Sequence, residues 1–388
     1  MTLVMKAAGP ADLLALVPTL AGFEPRNSLL LLMFRGKRTC GAIRFDLPPS
    51  SSPTVLKRLA NHVVGTVCRV PGVDGVVPIV YTDEKIATES ALPRDDYLRV
   101  VKRRLHHSGL FVKALLCVAS NGWASYLDPQ RPQHGHPLDD ISRSKLLRNI
   151  PAGIRDIRTL GGTLPEVSHE HRVRFLERFD DLRARVDLAL AGDPEVDDDP
   201  DPGVVPVHDI VKLFEDALRW DEAEIERWGP LLMLILQEPT ARDSAMLQWA
   251  TNEIVGEMSL GLAPLMPGQP GAAAMVDSAT GELIGNLMLG IGPRPDPGRV
   301  LAGIELLRRL TPLLDDQQQL APLCMLAWLN WALGHGSAAG DYLDRAVRID
   351  PAYGMAEVLG TMLGNGIMPD WAFNVPSPTS TPGGSMGR

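Results

Sequence analysis

Two histidines in one loop are the side chains whose type and spacing come nearest to a metal site. His134 and His136 lie in the segment Asp128-Pro-Gln-Arg-Pro-Gln-His-Gly-His-Pro137. Two imidazoles beside a carboxylate could ligate zinc, which binds histidine nitrogen and carboxylate oxygen. No Cys-x-x-Cys pair and no third spaced ligand accompanies them. The pattern therefore favours an exposed loop, with His134 and His136 as the candidate ligands if a metal binds, and we predict no cofactor.

Three further patterns approach known motifs but lack a required residue. The helical pair His169-Glu-His171 has no second histidine at the spacing of a zinc protease. The acidic run 193–202 lacks the glycine and the bidentate acid that a calcium-binding EF-hand loop needs. Gly285 and Gly290 have the spacing of a phosphate loop without the lysine that binds the phosphates. These three segments are interpreted as a helix start, a solvated linker and a turn.

A set of polar side chains at predicted strand ends is not explained by burial. Arg44 and Asp46 alternate onto the same face of one strand. They either pair with each other before Pro48, which is the favoured interpretation, or point into a cleft at the strand ends, where α/β sheets bind ligands. The full set of candidate site residues is Asn27, Ser28, Arg44, Asp46 and Asp83.

Composition excludes several classes of protein. The chain has 388 residues, 45% of them hydrophobic and 22% charged, with a net charge of −9. Nucleic acid binds to positively charged protein surfaces, and this chain is negatively charged overall, so we expect no nucleic-acid partner. The longest apolar runs, Leu29–Phe34 and Leu231–Leu236, are far shorter than the roughly 20 residues of a membrane span. The four cysteines lie far apart in apolar runs, which is typical of reduced thiols and predicts a cytoplasmic protein.

The first part of the chain alternates helical and strand patterns. The predicted order is α, β, β, α, β, α, β, β, and its hairpins require antiparallel neighbours, so we predict an α/β (α+β-like) domain with a mixed sheet. Proline has no backbone N–H to donate to a neighbouring strand, so Pro78 predicts that its strand lies at an edge of the sheet or contains a bulge. Asn121-Gly122 predicts a two-residue hairpin turn with positive φ at both residues.

Beyond this domain the strand pattern fades and helical periodicity dominates. The predicted regions are an α/β domain at 1–150, connecting helices at 151–192, an acidic Pro/Asp linker at 193–206, an α-helical domain at 207–373 and a disordered tail at 374–388. Within 320–351, residues fall at the offsets of one tetratricopeptide repeat. The repeat does not recur, so we predict a single TPR-like helical hairpin, with an ordinary helix pair as the alternative. The residues at the repeat offsets are Leu326, Ala327, Ala339, Leu343, Ala346 and Pro351.

Four blocks in order give the chain a resemblance to a known family. They are Pro10–Leu32, Arg44-Phe-Asp-Leu-Pro48, Leu236–Asp243, and Leu326–Gly336 through Arg345-Ala to Pro351-Ala-Tyr353. In these blocks the chain resembles an actinobacterial family known only as domain of unknown function 4192. The resemblance implies no activity, substrate or cofactor. The family often has cysteines in the loop that holds His134 and His136, and their absence here weakens the zinc interpretation further.

Two hypotheses of different classes follow. The preferred one is a non-enzymatic cytoplasmic protein-interaction or regulatory protein with an unidentified protein partner, because helical hairpins present grooves for partner segments. The alternative is an enzyme or small-ligand-binding protein whose site lies at the strand ends of the N-terminal domain. The alternative requires the five polar residues to converge, whereas the preferred hypothesis requires an exposed apolar patch or groove on the C-terminal helices.

Overall fold

The computed structural model describes residues 6–21, 24–49, 51–87, 91–150, 162–191, 210–261 and 278–373. These residues divide into two compact units: an α/β unit of 6–21, 25–150 and 373, and a helical unit of 24 and the described part of 162–372. No helix in these ranges is both long enough and apolar enough to cross a membrane. The predicted linker at 193–206 and the predicted tail at 374–388 lie wholly outside these ranges.

One mixed sheet forms the centre of the α/β unit, as predicted. Its strands are β1 Ser28–Arg35, β2 Arg38–Asp46, β3 Gly75–Tyr81, β4 Phe111–Val112, β5 Leu116–Ala119 and β6 Gly122–Ser125. The order is β2-β1-β3-β5-β6, with β4 also paired to β3. β1 runs antiparallel to β2 and β3, β3 runs parallel to β4 and β5, and β5 runs antiparallel to β6. Hairpins and two crossover connections, one between β2 and β3 and one between β3 and β4, produce both kinds of pairing.

The burial of β1 explains its continuous apolar sequence. Leu29–Leu32 are at most 1% exposed, because β1 has a strand on each side and both of its faces are covered. The unit is completed by α1 Pro10–Ala21, α2 Pro53–Cys68, α3 Asp95–His107 and α4 Asp139–Ser142. The sequence from Asp139 to Arg148 predicts one continuous helix. The helix is interrupted after α4, since the Ser144 side chain accepts the Leu146 N–H and starts a separate 3₁₀ turn.

The prediction for Pro78 was wrong, because β3 is a central strand. β3 lies between β1 and β5, and Pro78 stands opposite Leu31 without a bulge. The Val76 carbonyl accepts the Lys113 N–H and the Thr82 N–H donates to Val118, so the even-numbered residues of β3 face β4 and β5. Pro78 therefore faces the interruption between β4 and β5, where a missing N–H removes no ladder bond.

The hairpin predicted at Asn121-Gly122 exists, but its turn is built differently. The two loop residues are Ser120 and Asn121, since Gly122 already pairs with Ala119 in β6. Neither Asn121 nor Gly122 has a positive φ. Asn121 instead bonds through its side-chain amide to both the N–H and the carbonyl of Ile86. A long-range contact therefore replaces the local turn chemistry that the dipeptide suggests.

Helices are the secondary structure of the second unit within the described residues, as predicted, and no strand occurs there. Its helices are α5 His169–Ala191, α6 Ile210–Ala217, α7 Glu222–Ile235, α8 Pro239–Ala250, α9 Glu253–Gly261, α10 Ser278–Met288, α11 Pro297–Leu310, α12 Asp316–Ala332, α13 Gly336–Ile349 and α14 Gly354–Gly364. Capping boxes at Asp221/Glu224 and Asp315/Gln318 start α7 and α12. The periodicity from Ala241 to Met258 predicts one helix, but the structure has two, because Asn252 caps the start of α9.

Helix α12 is the core of this unit. Its residues Leu320–Ala332 are all buried, and it forms a hairpin with α13 across the short turn 333–335. Ala327 and Ala339 are fully buried, and their small side chains allow the two helices to approach closely. Trp328 and Trp331 donate their indole N–H groups to the carbonyls of Met288 and Ile367. The tryptophans of α12 are therefore structural.

Candidate functional site

The structure brings the five polar residues named from the sequence to one end of the sheet. Ser28 begins β1 and stands opposite Asp46 of β2 and Tyr81 of β3. Asn27 precedes β1 and Asp83 follows β3, so both lie at the same end. Arg44 is two residues before Asp46 on the same face of β2. We call this set, Asn27, Ser28, Arg44, Asp46 and Asp83, the strand-end cluster.

Four of the five side chains of the strand-end cluster form two pairs. Arg44 Nη2 lies 2.8 Å from Asp46 Oδ1, and the Asp46 side chain is 81% exposed. The Asn27 side-chain amide donates to the Asp83 carboxylate and accepts the Asp83 backbone N–H at 3.0 Å. Asn27 adopts a left-handed backbone conformation with φ 38°, which asparagine tolerates better than most residues. The Arg44–Asp46 pair lies within β2, and the Asn27–Asp83 pair joins the start of β1 to the end of β3.

Two further features lie in or beside the strand-end cluster: a hydroxyl without a partner among the described residues and a second left-handed backbone conformation. Ser28 is fully buried, and its hydroxyl has no hydrogen-bond partner within the described residues. Arg94, which precedes α3, has a left-handed φ of 59° and links Glu84 to the carbonyl of Pro48. Sequence reasoning missed Arg94 as a residue near this cluster, because its position after a proline and before two acids does not indicate a left-handed conformation.

His136 has a structural role in the loop where zinc was considered. Its ring stacks on Trp123 with 4.4 Å between centroids, and the two backbones exchange hydrogen bonds of 2.7 and 2.9 Å. A Cβ on Gly122 would lie only 2.6 Å from the His134 carbonyl oxygen, so the close packing of this loop against β6 requires a glycine at this position. His134 is exposed. Across the described residues, no three His, Cys, Asp or Glu side chains are arranged to hold a metal.

A pocket of about 450 Å³ opens in the helical unit, and we call it the helical pocket. Its walls come from α8, α10, α12 and α14. They are mainly apolar and include three methionines, whose flexible side chains adapt to irregular shapes. The apolar lining includes Met288, Leu289, Trp328, Met355, Val358 and Met362. Leu289 and Val358 are 55% and 59% exposed, so the apolar surface continues beyond the mouth of the pocket.

A buried arginine forms the polar side of the helical pocket. The Arg242 side chain is 9% exposed, Nε donates to Asp243 Oδ1 at 2.8 Å, and Nη1 donates to the Tyr353 hydroxyl at 3.0 Å. Burial opposes the charge, but Asp243 and Tyr353 outweigh it and raise the pKa of Arg242. Burial also raises the pKa of Tyr353, so its hydroxyl keeps its proton. Nη2 makes no hydrogen bond with any described residue.

Another arginine–carboxylate pair among the described residues of this unit engages both terminal nitrogens of its arginine, Arg299, whose Nε is buried without a partner there. Arg299 donates from Nη1 and Nη2 to the two Glu215 oxygens, both at 2.6 Å, and Nη2 also donates to the Gln248 carbonyl. The Arg299 side chain lowers the pKa of Glu215. Such a bidentate pair ties helices α6, α8 and α11 together. Arg242 differs because one of its terminal nitrogens stays unused beside a pocket.

The sequence named none of the polar residues of the helical pocket as candidates. Arg242 and Asp243 end one of the family-like blocks, and Trp328 and Tyr353 lie in another. A charged pair within an apolar helix was the available signal. Its meaning depends on which helices meet, and periodicity along one helix does not reveal this.

Comparison with known proteins places the chain in a family. It matches the family described as Domain of unknown function (DUF4192) over residues 10–259 and 296–370, and it belongs to that family. No curated protein and no solved structure matches it. The strand-end cluster lies within the matched residues, and so does the helical pocket apart from Met288 and Leu289.

Proposed function

We propose that the protein is a non-enzymatic cytoplasmic protein-interaction protein whose helical unit binds a segment of a partner protein in the helical pocket. The observation that carries this proposal is the pocket itself, about 450 Å³ of mainly apolar lining with an exposed apolar rim. Ligand sites are concave, mainly apolar and equipped with a few polar groups, and the helical pocket has each of these properties.

The rim favours a protein segment over a small molecule. A small-molecule pocket surrounds most of its ligand, whereas Leu289 and Val358 extend the apolar surface outward from the mouth. A longer ligand that enters the pocket with one side chain would also cover these two residues. The residue offsets within 320–351, which favour a TPR-like hairpin for α12 and α13, support the same proposal, since repeat hairpins of that kind line grooves for partner segments.

The experiment compares two charged substitutions of equally exposed apolar residues. Val358→Asp places a carboxylate at the rim, and Ile254→Asp places one on α9, where the side chain is 66% exposed and does not line the pocket. We expect proteins cross-linked to the full-length chain in native cells to be retained by Ile254→Asp and lost with Val358→Asp. The partner segment is then mapped and its direct binding measured. Equal retention by both variants contradicts the proposal.

A second candidate function is supported by the strand-end cluster. The unpartnered Ser28 hydroxyl and the left-handed backbone at Asn27 and Arg94 are features that gather at functional sites. They favour an enzyme or small-ligand site at the strand ends. Thermal-shift measurement with a panel of small polar metabolites tests this candidate. A ligand that stabilises the wild type but not Asp83→Asn supports it, and no stabilisation across the panel contradicts it.

A further inference from the structure

The chemistry of the helical pocket is set by hydrogen-bond donors that the chain does not use. Arg242 has three nitrogens, and Asp243 and Tyr353 engage Nε and Nη1. The two N–H groups of Nη2 have no acceptor among the described residues. The Tyr353 hydroxyl accepts from Arg242, so its own proton is also available, and it too has no acceptor there. Two adjacent unsatisfied donors therefore border an apolar cavity.

Arg242 Nη2 is not sealed from solvent, so an incoming ligand can reach its donors. A guanidinium is always charged and carries its donors in a rigid planar fork. The Arg242 side chain is only 9% exposed, whereas Asp243 is 38% exposed and keeps part of its charge in water. Asp243 also lines the pocket, but its carboxylate bonds to Nε, so Nη2 is the end of the arginine that this carboxylate does not engage. The acceptor that complements a fork of two donors is a carboxylate, with two oxygens at matching spacing.

We propose that the partner segment is an acidic one, in which an aspartate or glutamate binds Arg242 Nη2 and the Tyr353 hydroxyl while an adjacent bulky apolar side chain fills the helical pocket. This inference rests on the proposed function and specifies the chemistry of its partner. Trp328, Met355 and Met362 form the apolar receptor, and Val358 continues it along the rim. The carboxylate selects among apolar segments, and the apolar side chain supplies most of the buried area.

The experiment measures binding of the full-length protein to synthetic dodecapeptides in matched pairs. Each peptide has a Phe, Leu, Met or Trp beside an Asp or Glu, and its partner peptide has Asn or Gln in the acidic position. We expect the acidic member to bind at least about tenfold more tightly, the ratio for one charge-assisted hydrogen bond. Tyr353→Phe should reduce this ratio with little effect on the fold, and Arg242→Gln should abolish it.

Each outcome separates the inference from the proposed function. If acidic and amide peptides bind equally and Val358→Asp weakens both, the helical pocket binds segments but the acidic preference is wrong. If no peptide binds, or Val358→Asp leaves binding intact, the proposed function fails as well. A further arm uses decanoate below its micellar concentration. Saturable decanoate binding that requires Arg242, with no peptide binding, overturns the inference and makes the pocket a site for small amphipathic acids.

Discussion

The strand-end cluster and the helical pocket both collect polar side chains, but they use them differently. At the strand ends, Arg44 binds Asp46 and Asn27 binds Asp83, and the Asp46 carboxylate stands mostly in water. In the helical pocket, Arg242 is buried, and one of its nitrogens has no acceptor among the described residues. A cluster of polar residues is thus a weak indicator of a site when its members satisfy one another. Unused donors beside an apolar cavity are a stronger one.

Solvent exposure determines how much the charged pairs of the two regions contribute to the free energy of unfolding. An exposed ion pair is screened by water and contributes on the order of 0–1 kcal/mol. A buried charged group must keep its partners, because leaving it unpaired costs more than the pair contributes in water. The following predictions test this contrast, from the largest expected effect to the smallest.

Trp328→Ala should have the largest effect, because it removes a pocket wall that is also core. Trp328 is 1% exposed and its indole donates to the Met288 carbonyl. We expect a loss of about 3–5 kcal/mol in the free energy of unfolding, measured by urea denaturation. Leu289→Ala, at the exposed rim of the same pocket, is the control and should change it by less than about 1 kcal/mol. Similar losses for the two variants would show that the wall is not core.

Asp243→Ala and Asp46→Ala remove the carboxylate partner of an arginine from each region. Asp243 binds a buried arginine, so we expect its loss to cost about 1–3 kcal/mol. Asp46 is exposed, so we expect its loss to cost less than about 1 kcal/mol. Denaturant midpoints of the two variants give the difference directly. If Asp46→Ala proves the more destabilising, the contrast between the regions is reversed.

Ser28→Ala should stabilise the protein slightly. The substitution removes a hydroxyl that is fully buried and has no partner among the described residues, and it leaves a methyl group of nearly the same size. We expect a gain of about 1 kcal/mol, since an unsatisfied buried polar group costs about this much or more. A clear loss of stability in the same urea titration would mean that the hydroxyl is engaged, and it would strengthen the strand-end candidate.

His335→Gln should have the smallest effect of these substitutions, and we expect it to flatten the pH dependence of stability. Burial lowers the pKa of His335, whose Nδ1 has no partner among the described residues. The unfolded chain therefore takes up a proton first, near pH 6.5, and stability falls as the pH drops from there towards the folded pKa. We expect thermal midpoints measured from pH 7.5 to 5 to fall less in His335→Gln than in the wild type. His134→Gln, at an exposed histidine, should follow the wild type, and a flattened profile for this variant would contradict the assignment.

Local patterns were sufficient to predict elements whose residues are explained by their own neighbours. The run Leu29–Phe34 indicated a strand buried on both faces, and the Arg44–Asp46 alternation indicated a pair on one face, as observed. Pro78 and Asn121 were misjudged because distant partners decide their environment. The break between β4 and β5 accommodates Pro78, and the backbone of Ile86 holds Asn121.

The sequence by itself determined the mixed sheet, the helical second unit, and the candidate residues at the strand ends, because each follows from periodicity and residue type over a few turns or strands. The tertiary structure alone decided that Asn27 binds Asp83 and that Arg242, Tyr353 and Trp328 border one cavity. These three residues come from α8, from the turn before α14, and from α12. The spacing of residues along one helix specifies which face is buried, but not which helix covers it. A pocket between helices is therefore visible only after they have packed.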